Sequence, residues 1–104
     1  MIYNGLIPTV QGAIHTIPKA TPGIPGSGRS YVVNFFRVVN SSGAARTFTL
    51  YLNVNGTARP ITPISTQLPI GAAWDDVPTF QLPPGATIEA IADATNVAWS
   101  VNVE

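Results

Sequence analysis

Residues 30–55 read SYVVNFFRVVNSSGAARTFTLYLNVN: two long apolar runs on either side of a short polar turn. The second run, Thr47 to Asn55, alternates cleanly, with Phe48, Leu50, Leu52 and Val54 on one side and Thr49, Tyr51, Asn53 and Asn55 on the other. A period of two marks a strand with one face buried. Burying those four apolar side chains stabilises by roughly 6–12 kcal/mol, an upper bound at about 1.5–3 per side chain. Chain entropy offsets most of it, so further strands are required. The first run, Tyr31 to Asn40, is mixed. One face carries Tyr31, Val33, Phe35, Arg37 and Val39, the other Val32, Asn34, Phe36, Val38 and Asn40. Both faces are partly apolar, which predicts a strand covered on both sides, one of them by another subunit. Asn40-Ser41-Ser42-Gly43 supplies turn chemistry, so the two runs are expected to form the organising hairpin.

Shorter strands are expected around this pair. Ile2 to Ile7 reads as an edge strand or an arm stopped by Pro8, and residues 1–12 are assigned to an N-terminal arm. Ala13 to Ile17 reads as a strand ended by Pro18. Residues 18–28, PKATPGIPGSG, hold three prolines and three glycines and predict an exposed loop with extended, polyproline-like pieces. Ala58 to Ser65 is a weak edge strand because Pro60 and Pro63 remove donors, and Leu68 to Ile70 continues it. Gly71 to Asp76 reads as a turn and Val77 to Leu82 as a strand. Pro83-Pro84-Gly85 is a tight turn, with proline presetting φ and glycine taking the positive-φ position. Thr87 to Ala92 and Val97 to Glu104 are the last strands, the latter with Val97, Trp99, Val101 and Val103 in phase. Seven to eight short strands with no amphipathic helix predict an all-β fold: an antiparallel two-sheet β-sandwich, jelly-roll-like, spanning residues 13–104 as a single domain.

Composition narrows the function. The chain has 104 residues, no cysteine and a formal net charge of zero, and only 10% of its residues are charged, against about 25% in typical soluble domains. Without cysteine there is no disulfide or thiolate metal site. The scattered Lys19, Arg29, Arg37, Arg46 and Arg59 make no basic patch, so no nucleic-acid partner is expected. No apolar run reaches membrane-spanning length, and the first twelve residues have no signal-peptide pattern, so neither a membrane partner nor export is expected. A surface so poor in charge reads either as a Thr/Asn/Ser-rich β surface that needs few charges or as one largely buried in an assembly.

Residues able to carry chemistry are few. His15 is the only histidine and stands apart from any serine or nucleophile motif, so it reads as structural. The adjacent Asp75 and Asp76 read as turn carboxylates. Gly23, Gly26 and Gly28 precede a strand, not a helix, and make no phosphate cradle. No catalytic residue, cofactor or metal is therefore assigned, and the chain is read as a non-enzyme. Trp99 reads as core. Trp74, in a small-residue stretch, either closes the sandwich end or is exposed to anchor a partner or stack on a sugar, and Tyr3 has the same two readings. The candidate protein-interface residues are Ile2, Tyr3, Leu6, Ile7, Pro22, Ile24, Pro25 and Trp74.

The order AIHTIP, VVNSSG, TFTLYLN, LPPGATI and VAWSVNVE, between Ala13 and Glu104, resembles the small all-β virion structural proteins of tailed bacteriophages, which include capsid decoration proteins and tail- or neck-associated proteins. Two departures stand out. The short turn usual after the proline stop is expanded into Lys19–Gly28, and Ala86 stands where such turns often carry aspartate. The resemblance implies a capsid decoration (cement) protein that binds the outer capsid surface as a homo-oligomer, a trimer if it sits at local three-fold axes. Its partners would be capsid or other virion proteins, and it would be located in the virion after synthesis in the host cytoplasm. A tail, neck or fibre-base component is the alternative, and a carbohydrate-binding module using Trp74 and Tyr3 is the alternative from another class.

Overall fold

A computed structural model describes residues 1–76 and 80–104. Among the described residues ten strands are formed: β1 (Ile2–Leu6), β2 (Gly12–Thr16), β3 (Tyr31–Asn40), β4 (Arg46–Val54), β5 (Thr57–Pro60), β6 (Thr66–Leu68), β7 (Ala73–Asp76), β8 (Phe80–Leu82), β9 (Thr87–Ala92) and β10 (Val97–Val103). They make two antiparallel sheets. The first runs β1-β10-β3-β7, with β8 also on β3; the second runs β2-β9-β4-β5, with β6 also on β4. Counting β5 with β6, and β7 with β8, as one strand position each reduces ten to eight. First then pairs with last, second with seventh, third with sixth and fourth with fifth, the double ribbon of a jelly roll. The expected all-β two-sheet sandwich is thus the observed one, 50 × 23 × 20 Å in extent.

The cleanly alternating strands behave as read. Phe48 and Leu50 are fully buried, with Leu52 and Val54 packed against them, and Val97, Trp99, Val101 and Val103 line the facing sheet. In β9, Ile88, Ala90 and Ala92 point into the same core. Ala86 N–H donates to Pro83 O at 3.0 Å with Gly85 at φ 80°, the expected proline–glycine turn.

β3 and β4 do not form a hairpin. β3 pairs with β10, β7 and β8 in one sheet, and β4 with β9, β5 and β6 in the other. Each strand buries one apolar face, and both faces are satisfied by a common core between sheets about 10 Å apart, which residues 41–45 cross. The polar residues expected to close a hairpin build this corner instead. Buried Asn40 donates from Nδ2 to the carbonyls of Ala44 (2.8 Å), Leu68 (2.9 Å) and Pro69 (3.2 Å), and its Oδ1 accepts from the Ser42 N–H and hydroxyl. The hairpin of this region is the next one, β4–β5, closed by Asn55 (φ 56°) and Gly56 (φ 84°); two positive-φ residues at that position are the Asn-Gly type I′ signal.

The mixed faces of β3 have a local cause. Opposite β10, Phe35 pairs with Asn102 but Val33 pairs with Val103, so Asn34 is an extra residue, a β-bulge. The bulge shifts the phase by one. Val33 points inward before it, and Phe36, Val38 and Asn40 point inward after it, all fully buried. One face of the strand is therefore core along its whole length, and the face left for a second covering layer is the outer one, with Val32, Phe35, Arg37 and Val39. The Oδ1 of Asn34 is shut from solvent without a hydrogen-bond partner.

Three further expectations are sharpened or corrected. Of the two readings of the N-terminal segment the edge strand is the observed one: Ile2–Leu6 is in register with β10 from Ile2 opposite Asn102 to Leu6 opposite Ala98, not a free arm. Ala73–Asp76 is a strand on β3, not a turn, with the chain reversal placed before it at Gly71 (φ 69°). The strand expected over Val77–Leu82 is observed over Phe80–Leu82, its first three residues lying outside the described ones. The proline-interrupted segment 58–65 keeps its backbone bonded by substitution: Leu50 N–H donates to the Thr62 hydroxyl at 3.0 Å, and Ile61 N–H to Leu50 O at 2.8 Å.

Candidate functional site

The loop 18–28 is exposed as expected, but it is folded into two tight turns and not extended. Ile24 N–H donates to Thr21 O (3.2 Å) across Pro22-Gly23, and Ser27 N–H donates to Ile24 O (3.3 Å) across Pro25-Gly26. Gly23 and Gly26 have φ 80° and 72°, and proline followed by positive-φ glycine is the type II pattern. The ends are clamped, with Thr21 N–H donating to Ser27 Oγ at 2.7 Å and Ser27 Oγ donating to Thr21 O at 3.2 Å. Ile24 stands at the apex, 59% exposed. Pro22, Ile24 and Pro25 are thereby brought into one preorganised knuckle.

The other candidates divide. Ile2 and Leu6 are exposed, 69% and 61%, on the outer face of the first sheet. Ile7 is buried in the core, its N–H on Val97 O at 2.8 Å, and presents nothing to a partner. Alternation along β1 turns Tyr3, Gly5 and Ile7 inward. Trp99 lies against Gly5, close enough that a Cβ there would meet Nε1 at 3.2 Å.

Tyr3 and Trp74 close the two open sides of the sandwich. Tyr3 packs on the core and stacks on His15 of the second sheet, with ring centroids 4.3 Å apart. Burial there pushes the His15 imidazole below its ordinary pKa. Trp74 packs edge-on between Phe36 (6.2 Å) and Phe48 (5.8 Å), one from each sheet. Neither aromatic lies on an open face as a sugar platform, and Trp74 is not an exposed anchor.

Register assembles an outer surface that could not be read along the chain. Residues directly opposite in antiparallel strands share a face, so Leu6, Ala98, Val39 and Ala73 form an apolar row across the whole first sheet. The next row is Asn4, Ser100, Arg37 and Asp75. Arg37 donates from Nε and Nη2 to the two carboxylate oxygens of Asp75. These hydrogen bonds hold the Asp75 carboxyl below its usual range and raise Arg37. Asp75 is therefore a cross-strand partner and not a turn cap. The second sheet's outer face is polar: Glu89 accepts from Gln11 Nε2 (2.9 Å) and Asn53 Nδ2 (2.6 Å), and those bonds lower its pKa.

Among the described residues no three His, Asp or Glu side chains are grouped to hold a metal ion, and no helix is long and apolar enough to cross a membrane. A groove of about 340 Å³ beside Leu6, Pro8, Val10 and Asn96 carries no ionisable side chain. What the geometry offers is contact surface: a rigid apolar apex, an apolar row and an exposed edge strand. No family model matches the chain, and no curated protein or solved structure is significantly similar to it.

Proposed function

We propose that this chain is a non-enzymatic structural protein of a tailed-bacteriophage virion, one that decorates the outer capsid surface and stabilises the shell as a homo-oligomer. The observation that carries the reading is the Ile24 knuckle. Two proline–glycine turns and the Thr21–Ser27 clamp fix an exposed apolar side chain before any partner arrives, which removes much of the ordering cost of docking. The low charge of the chain and its jelly-roll order are in keeping with this role, although the architecture by itself hosts many functions. A tail or neck component would use the same surfaces and differs in copy number.

The test is co-sedimentation of purified protein with capsid shells and with tails of the phage that encodes it, with bound copies counted by electron microscopy. Saturation at hundreds of copies per shell is expected, with Ile24→Asp weakening binding at least tenfold while leaving the melting temperature in place. Saturation at a few copies on tails assigns the tail role. Binding to neither overturns the virion reading.

A further inference from the structure

The four sheet edges are not equally protected. In the second sheet β2 carries a bulge at Ile14 and is followed by Pro18, and the β5–β6 edge is interrupted by Pro60 and Pro63. On the far side of the first sheet the edge strand β7 carries two adjacent carboxylates, Asp75 and Asp76. β1 is likewise followed by a proline, Pro8, but the strand itself has no bulge, no break and no charge. Ile2-Tyr3-Asn4-Gly5-Leu6 holds no charge, no proline and no register shift, the combination that leaves an edge open to another strand.

The polarity of that edge follows from the ladder. Val103 N–H donates to Met1 O, and Ile7 N–H donates to Val97 O, so the odd-numbered residues of β1 face β10. Bonding direction alternates along an antiparallel strand. The N–H and C=O groups of Ile2, Asn4 and Leu6 therefore point off the open edge, where no strand pairs with them among the described residues.

We infer that β1 pairs antiparallel with β1 of a second copy of this chain, about a two-fold axis through Asn4. The five residues are self-complementary in this one register. Asn4 meets Asn4 of the second copy; Ile2 meets its Leu6; Tyr3 meets its Gly5. Each of the three outward-bonding residues falls opposite another outward-bonding residue, giving about six inter-chain hydrogen bonds. On the outer face the exposed Ile2 and Leu6 cover one another, and on the inner face the large Tyr3 lies beside the residue with no side chain. A shift of one residue would set outward-bonding groups against inward-bonding ones and lose the ladder. The first sheets of both copies become one continuous sheet. The contact is smaller than the roughly 1,200 Å² of a stable interface, so the dimer is concentration-dependent in solution and is reinforced where copies are held side by side on a surface. The inference names the self-contact of the assembly proposed above and rests on that reading only for its setting.

Cysteine cross-linking of the purified protein tests it, because the chain has no cysteine of its own. Residues paired across the axis have Cα atoms about 5.5 Å apart, inside the roughly 4.4–6.8 Å range for a disulfide. Asn4→Cys is expected to form a disulfide dimer under mild oxidation at least tenfold faster than Ala73→Cys, which is exposed at the opposite edge of the same sheet. An equimolar mixture of Ile2→Cys and Leu6→Cys should give mainly the mixed dimer. Asn4→Pro removes an N–H that no intrachain partner uses, and should return the sedimenting species to monomer with the far-UV spectrum unchanged. Equal rates for Asn4→Cys and Ala73→Cys, or homodimers of Ile2→Cys matching the mixed product, overturn the inference. No capsid enters this experiment, so its failure would leave the virion reading standing, and failure to bind capsids would leave a cross-linked dimer intact.

Discussion

The side-chain amide of Asn40 lies 2.9 Å from the carbonyl oxygen of Leu68, a bond from the end of β3 in one sheet to β6 in the other. Asn40 is 1% exposed, and its remaining contacts hold the corner through Ala44, Pro69 and Ser42. One buried amide therefore fixes where the chain leaves the first sheet and enters the second. Polar groups buried this deeply are costly when left unpaired, because the protein offers no water in exchange.

Asn40→Ala strands the Leu68 carbonyl and loosens the corner. A loss of about 2–4 kcal/mol is expected, at roughly 1–3 for each buried group left unbonded. Urea unfolding should show a lower midpoint with an unchanged slope. A midpoint equal to that of the parent protein would show that the corner holds without this side chain.

The phase shift at Asn34 separates two adjacent phenylalanines. Phe36 is fully buried and Phe35 lies on the outer face. Phe36→Ala should cost about 3–5 kcal/mol as a core truncation, and Phe35→Ala at most about 1. Equal losses in thermal or chemical unfolding would contradict the bulge.

Thr62 stands in for a backbone acceptor opposite Leu50. Thr62→Val keeps the shape and removes the hydroxyl, leaving the Leu50 N–H buried and unpaired at a cost of about 1–3 kcal/mol. Thr62→Ser keeps the oxygen and should recover most of that loss. Amide exchange at Leu50 reports the site directly, with faster exchange expected in the valine variant only.

Stability should fall in mild acid through His15. Its folded-state pKa is lowered by burial against Tyr3, so the unfolded chain binds the proton first. The contribution is complete above the unfolded value of about 6.5 and is lost as pH falls through the folded one. Asp75 and Glu89 are also lowered, but they act below the ordinary carboxylate range, near pH 4. Melting temperatures between pH 7.5 and 5 should therefore decline in the parent protein and stay flatter in His15→Gln. Parallel curves would assign the decline elsewhere.

Strand identity was legible wherever one face alone is buried, as in β4, β9 and β10. It failed where backbone geometry intervened. The bulge in β3 breaks the period with a residue, Asn34, that carries no turn signal, and it mixes the residues of the two faces in any strict alternation. Whether β3 and β4 share a sheet depends on β9 and β10, whose paired residues lie more than thirty positions further along, and no local pattern encodes that. Ala73-Trp74-Asp75-Asp76 has weak strand propensity, and its pairing with β3 overrides it. The Asn55-Gly56 hairpin signal was present in the sequence but was absorbed into the preceding strand. Of the interaction surfaces, the prolines and glycines around Ile24 marked an exposed loop. The rows of the outer face exist only through register, and Tyr3 and Trp74 could not be oriented until both sheets were in place.

The pairing of β1 with β10 also sets a timetable. Synthesis makes β1 long before the strand it lies against, so Ile2–Leu6 lacks its β10 partner until residues 97–103 have left the ribosome. Long-range closure of this kind is slow, and through all of that interval both sides of β1 are open. Crowded nascent chains on one message would therefore meet at β1 before each has finished its own sheet, and synthesis rate, not only sequence, would decide how many emerge entangled.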